Sequence, residues 1–399
     1  MTNEQKELIK ATVPILKEHG VLLTSHFYNR MFTHNPELKN IFNMGNQQNQ
    51  KQQTALAMAV LAYAEHIENP AVLMPVVDSI GQKHTSLDIR PEHYAIVGKH
   101  LIASISEVLG ESATFAILDA WTAAYQQLAS IMAGHEQNLY ERQIGKAGGW
   151  TGWRPFIVKE KVKESDEITS FYLYPADGGP VADFLPGQYI SVRLFLPELN
   201  LLQPRQYSIS CAPNGTYYRI SVKKETHAVH PDGMISNHLH YLTQVGDMIE
   251  VTAPSGNFVL AETERPVVFI SGGVGQTPLM SMLETLVQKK TTRLKTWIHG
   301  CKAESVHAFK NIITEWTCNN DTLRSHFFYD MPAAGEHNVI SGWVELSHFD
   351  KTVLSPEADY YICGPAPFIK KHYEYLTAQG IGKEAIHFEE FGPASLQLN

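Results

Sequence analysis

The stretch Ser271-Gly272-Gly273-Val274-Gly275-Gln276-Thr277-Pro278 has residue types and spacing that can hold a phosphate. It follows the apolar run 267–270 and leads into residues 278–288, where apolar positions recur at helical spacing. Glycines there permit positive φ and close backbone approach, so a helix N-terminus with unpaired N–H groups can face a pyrophosphate. Pro278 suits the first helical turn, where no N–H is needed. Alone, a glycine-rich turn is weak, and an ordinary tight turn is its alternative. With a strand before it and a helix after it, nucleotide binding by Gly272, Gly273, Val274, Gly275, Gln276 and Thr277 is the stronger reading. The acidic residue that usually meets a ribose at the end of the next strand is replaced by His299-Gly300-Cys301-Lys302, so this is not the common dehydrogenase version of the motif.

The four cysteines, Cys211, Cys301, Cys318 and Cys363, are scattered, which points away from zinc, disulfide frameworks and iron–sulfur clusters. Among 19 histidines, His84 closes an amphipathic helical segment and is followed by Thr85-Ser86, although a single histidine in that position is most often structural.

These residues must be placed by more than one core. At 399 residues the chain is expected to hold roughly two to four domains. Hydrophobic content of 44% and charged content of 18% describe an ordinary globular chain. A net charge of −9 without a basic stripe argues against a nucleic-acid partner. The longest apolar run, 55–64, is too short for a membrane span, and residues 1–10 lack a signal core, so a cytoplasmic location is expected.

Residues 5–17, 22–31, 52–65, 71–83, 92–109 and 114–142 read as amphipathic helices, so residues 1–147 form an all-α domain of globin size. A glycine-rich joint at 146–152 follows, and the period becomes two. Strands are expected at 156–162, 168–174, 188–195, 206–210, 217–223 and 248–253, which suggests an antiparallel β-barrel over 148–262. Residues 263–399 read as a parallel α/β domain, with strands at 267–271, 294–299 and 360–363.

Arg205-Gln206-Tyr207-Ser208, at the start of a barrel strand, resembles the R-x-Y-S signature of ferredoxin-reductase-like flavoproteins. Pro186-Gly187-Gln188-Tyr189, Gly233-Met234-Ile235-Ser236-Asn237 and Cys363-Gly364-Pro365 match that family in order. In the helical part, the segments 26–32, 35–44 and 80–86, then Pro91-Glu92-His93-Tyr94 and Glu136-Gln137-Asn138-Leu139-Tyr140, resemble the flavohaemoglobin family. The segment 387–393 resembles its C-terminal flavin-covering stretch.

The resemblance implies haem b, FAD and NADH or NADPH as cofactors. His84 would bind the iron, with Glu136 accepting from its other ring nitrogen and Tyr94 completing the group. Tyr28 would be a distal phenol donor, with Gln52 and Leu56 on the same face and Phe42 against the porphyrin. The plainer alternatives are a helix cap for Tyr94, a solvent position for Glu136, and core packing for Phe42 and Leu56. Flavin contacts would come from Gln188, Tyr189, Arg205, Gln206, Tyr207, Ser208 and Ser236. Phe388, Glu389, Glu390 and Phe391 would cover the ring, and Cys363 with Gly364 would lie near the hydride path. Glu390 departs from the small or apolar residue of the family pattern. Lys83 is expected to pair with Glu389 at a haem–flavin seam. The implied activity is NAD(P)H-dependent nitric oxide dioxygenation, by a monomer whose small-molecule partners are O2, NO and NAD(P)H. An apolar or lipid ligand in the haem pocket is a further expectation. A flavin or ferric reductase and a haem-based O2 or NO sensor are the alternatives.

Overall fold

The computed structural model describes all residues except 49, 227–232, 333–338 and 392–399. Residues 225–232, which read in the sequence as a long loop, fall outside the described residues from 227 onward, as do residues 392 and 393 of the C-terminal segment. The chain forms two compact units, one of Met1–Trp153 with Ser191–Arg205 and one of the remainder.

In the first unit, α1 (Asn3–Ala11), α2 (Val13–His34), α3 (Met44–Gln48), α4 (Lys51–Glu65), α5 (Met74–Thr85), α6 (Pro91–Leu109) and α7 (Phe115–Ile144) follow in order. Thr2 starts α1 with a capping box closed by Gln5, and Thr114 caps α7 through the Ile117 N–H. The sequence periodicity breaks near residue 20, yet α2 runs on through Gly20. A Cβ there would sit 3.4 Å from the Ala57 Cβ, so the glycine allows α2 and α4 to approach closely. The expected helix at 5–17 is split instead at Thr12, because Pro14 in the first turn of α2 cannot continue the hydrogen-bond ladder. The core of this unit gathers Leu23, Phe27, Met31, Tyr63, Leu101 and Trp121.

After the joint, where Gly148 (φ 70°) and Gly152 (φ 73°) turn the chain, come β1 (Arg154–Lys163), β2 (Ile168–Pro175), β3 (Tyr189–Leu196), β4 (Leu201–Ser208) and β5 (Tyr218–Lys223). Helix α8 (Met234–Tyr241) and β6 (Met248–Val251) complete this part. The sheet order is β4-β3-β6-β1-β2-β5, with β1 antiparallel to β2 and β6. Ile209, just past β4, bridges to Ile220 of β5 and draws the two ends of the order together. Pro204 lies inside β4, which stands at the edge of that order, the place where a missing N–H costs no ladder bond.

A parallel sheet follows, built from β7 (Val267–Gly272), β8 (Lys295–Cys301), β9 (Leu323–Tyr329), β10 (Ile340–Ser341), β11 (Asp359–Gly364) and β12 (Ile386–Glu390). Its order is β10-β9-β8-β7-β11-β12. Helices α9 (Gln276–Gln288), α10 (Lys310–Cys318) and α11 (Ala366–Ala378) connect the strands. Strands β7 and β11 are buried along their whole length, because apolar clusters cover both faces of the sheet. The fold is thus an all-α globin-like part, an antiparallel flavin-type sheet and a parallel α/β part, as the residue periods indicate. Among the described residues no helix is long and apolar enough to cross a membrane.

Candidate active site

The C-terminal turn of α5 presents His84, and α6 and α7 bring two partners to it. Its Nδ1 lies 2.7 Å from Glu136 Oε1 and 3.0 Å from the Tyr94 hydroxyl. Tyr94 itself donates to the same Glu136 oxygen at 2.6 Å. Glu136 is only 2% exposed, and since a carboxylate only accepts, His84 must carry its proton on Nδ1. Its Nε2 has no hydrogen bond to a described residue and is left for an axial bond. Burial first, and the Glu136 charge second, push the Tyr94 phenol far up, so it stays protonated and donating. This donor set fits a haem iron: one imidazole with a carboxylate behind it.

Tyr94 is held in turn by a residue that sequence reasoning missed. Tyr125 donates to the Tyr94 carbonyl at 2.6 Å. Its ring lies where a side chain on Gly98 would be, 2.3 Å from a hypothetical Cβ. The only sequence signal for that contact is a glycine in the middle of an amphipathic helix.

The expected distal residues share one region. Tyr28 is buried among Phe27, Phe32 and Phe42, with ring centroids 4.9, 5.9 and 5.8 Å away. Burial raises its phenol pKa strongly, and hydrogen bonding with the Gln52 and Gln47 side chains works against that shift. Leu56 and Phe42 are half-buried against the same core. Gln47 and Gln53 were not foreseen. The Gln53 Nε2 donates to the Gln47 Oε1 at 3.0 Å, and its own Oε1 is buried without a partner among the described residues.

In the second unit, β7 feeds a 3-10 turn (Gly273–Gly275) into α9. A Cβ on Gly275 would fall 2.2 Å from the Cys363 carbonyl oxygen, so the turn packs directly against the end of β11. Gly364 likewise abuts the turn, since a Cβ on it would be 3.3 Å from the Gly272 N. Gly273 has φ of 56° and open space about it. Gln276, in the first turn of α9, is wholly buried, and neither end of its amide has a partner among the described residues. Val274 and Thr277 are tied together by the Thr277 hydroxyl donating to the Val274 carbonyl at 3.1 Å. A cradle that excludes Cβ atoms and leaves an amide open fits a bound nucleotide.

Cys363 is buried, and desolvation, then the charge of its strand neighbour Glu389, raise its thiol well above the usual range. Burial pushes Glu389 up to about 8, and its Oε2 has no partner among the described residues. Phe388, on the edge strand β12, and Phe391, just past its end, are exposed by 37% and 44%. Lys83, next to His84, has its ammonium pKa lowered by burial.

Of the barrel residues, Ser208 is buried and Gln206 and Tyr207 are half-buried on β4, with Arg205 beside them. Gln188 uses both amide ends on backbone: Oε1 accepts from the Leu185 N–H and Nε2 donates to Gly256 O at 3.1 Å. Tyr189 packs over Gly256, where a Cβ would meet its ring at 2.8 Å. Ser236 sits in the first turn of α8, its hydroxyl donating to Gly233 O. At the end of β8, His299 Nδ1 is 2.8 Å from the Ser271 hydroxyl, and its ring lies 4.6 Å from that of His307.

These sites and folds define a globin joined to a flavin- and nicotinamide-dependent oxidoreductase. Family models agree: globin over residues 25–132, oxidoreductase FAD-binding domain over 155–260 and oxidoreductase NAD-binding domain over 269–373. The chain is 50% identical over 398 residues to a flavohemoprotein of Bordetella parapertussis, covering 98% of each. It is 48% identical to one of Rhizobium meliloti and 42% to one of Bacillus subtilis, again over 98% of each chain. It therefore belongs to the flavohemoprotein family. Among solved structures it resembles the Malassezia yamatoensis flavohemoglobin with bound FAD and haem, with TM-score 0.86, 25% identity and 98% and 99% of the two chains covered. The FAD/NAD-binding domain of the Vibrio cholerae nitric oxide dioxygenase matches 60% of this chain and 99% of its own, with TM-score 0.57 and 38% identity. The chain is accordingly an NAD(P)H-dependent oxidoreductase of haem and FAD.

Proposed function

We propose that the chain is a nitric oxide dioxygenase that converts NO and O2 to nitrate at the expense of NAD(P)H. When bound, the flavin splits a hydride into single electrons and the haem delivers them to the gaseous substrates. The observation that carries the reading is the buried Glu136 carboxylate 2.7 Å from His84 Nδ1. A carboxylate there makes the imidazole a stronger donor, which favours activation of oxygen over storage. Tyr94 keeps Glu136 seated by donating to the oxygen that His84 also uses.

On the other side Tyr28 offers a neutral phenol O–H to a polar ligand, within walls of Phe27, Phe32, Phe42 and Leu56 that exclude water. Gln52 aligns that phenol. Arg205, Gln206, Tyr207, Ser208, Tyr189 and Ser236 would hold the flavin, with Gln188 bracing the loop beneath through backbone bonds. Residues 272–277, Cys363 and Gly364 would hold the nicotinamide nucleotide, where the open Gln276 amide gains its partners. The reading takes residues 1–147, 148–262 and 263–399 as haem, FAD and NAD domains.

NO, O2 and one electron balance to nitrate, so half a nicotinamide should be consumed for each NO. Steady-state assays that count NADH, NO and nitrate test this. Nitrate formed at that ratio, and lost in His84→Ala, supports the dioxygenase. Persistent NADH oxidation with NO left intact would favour the reductase, and NO bound without turnover the sensor.

A further inference from the structure

Asp78, Gly81 and His84 lie at three-residue steps along α5, on the side that meets α7. His84 joins Glu136 there, and a second pair stands beside it. The His135 Nε2 donates to Asp78 Oδ1 at 2.6 Å, from the residue immediately before Glu136. The imidazole lies against Gly81: a Cβ on that residue would come within 2.9 Å of His135 Cδ2 and 3.2 Å of Leu139 Cδ1. Glycine inside a helix is unfavourable relative to alanine, so its use here is offset by making room for the ring. Farther along, the Tyr140 hydroxyl donates to the Ile89 carbonyl at 2.7 Å. Three polar rungs, Asp78–His135, His84–Glu136 and Ile89–Tyr140, thus run along the α5–α7 contact and just beyond it.

We propose that Asp78 and His135 are a positioning pair for the axial imidazole, fixing the register of α5 on α7 and so the seat of Glu136 on His84 Nδ1. Helices are stiff over two turns, so a shift at Asp78 is carried to His84, and the carboxylate hydrogen bond that sets imidazole basicity changes with it. The inference rests on His84 being the axial ligand.

The test uses the full-length, haem-loaded ferrous protein and two readouts independent of turnover: the iron–histidine stretching band in resonance Raman and the haem midpoint potential. Asp78→Ala is expected to move the band to lower frequency and raise the potential. Asp78→Asn keeps an acceptor oxygen and is expected to stay near wild type. Gly81→Ala removes neither partner and favours the helix, yet it presses on His135 and is expected to reproduce the shift of Asp78→Ala. Wild-type band and potential in folded Asp78→Ala and Gly81→Ala protein would overturn the pair. His84→Ala separates the two claims. A band lost in His84→Ala but unmoved in the other variants leaves the ligand standing and the pair refuted; a band that persists in His84→Ala overturns both.

Discussion

Two polar groups, the His84 cluster of the helical unit and the Gln276–Glu389 region of the other, are handled in opposite ways. In the helical unit His84, Glu136, Tyr94 and Tyr125 close on one another through bonds of 2.6 to 3.0 Å. In the other unit Gln276 and the Glu389 carboxyl are buried with atoms that no described residue satisfies. A buried polar atom without a partner costs about 1–3 kcal/mol, so the second arrangement is stable only with help from elsewhere. The first site is preorganised by protein; the second is organised to be completed by a ligand.

The sharpest way to break the second arrangement is Gly275→Ala. Its new Cβ would meet the Cys363 carbonyl at 2.2 Å, both atoms on rigid backbone, so the turn must move. Flavin reduction by NADH should fall about a hundredfold, as for misplacement by an ångström at a reacting centre. Stopped-flow flavin bleaching checks it, and a wild-type rate would show that the turn does not position the nucleotide. In the first arrangement, Glu136→Gln keeps the shape and loses the charge. NO turnover should fall between about ten- and a hundredfold, while flavin reduction is unchanged.

A smaller effect separates the units by pH. His299 and His307 are pushed down to about 3 and about 2, mainly by burial, so both are neutral in the folded protein. Unfolded, they bind protons near 6.5, so their contribution is full above that pH and is lost as pH falls from 6.5 toward 3. Urea melts of His307→Gln across this range should show a shallower loss than wild type; equal slopes would remove the pair from the account. Gln276→Leu should have the smallest effect. The ligand-free protein should be as stable as wild type or more so, because an orphaned amide is gone, while KM for NADH rises several-fold, or about 1 kcal/mol. A clear drop in Tm without ligand would mean that the amide is satisfied by the protein.

How much of this was legible depends on how local the signal is. The glycine-rich turn is a contiguous string between a strand and a helix, and the structure places both where periodicity puts them. The His84 group spans three helices, and its members were reached through resemblance, since nothing in the spacing of residues 84, 94 and 136 dictates that they meet. Asp78 and His135, or Tyr125 and the Tyr94 carbonyl, left only a helical glycine apiece as a trace: Gly81 and Gly98. Strand β4 began five residues earlier than expected, because Pro204 reads as a breaker until the strand is known to lie at a sheet edge. Helix α8 and strand β12, of eight and five residues, are too short for a period to stand out from the motifs they carry.

The central claim, that electrons pass from nicotinamide through flavin to a haem whose proximal side activates oxygen, is tested most directly by sequential mixing. Protein is first mixed anaerobically with NADH while flavin and haem bands are followed, then with oxygenated buffer carrying NO. The account predicts flavin bleaching, then ferrous haem, then rapid NO loss with nitrate formed. A haem that stays ferric after the flavin is reduced, or NO that binds and is not consumed, would contradict it.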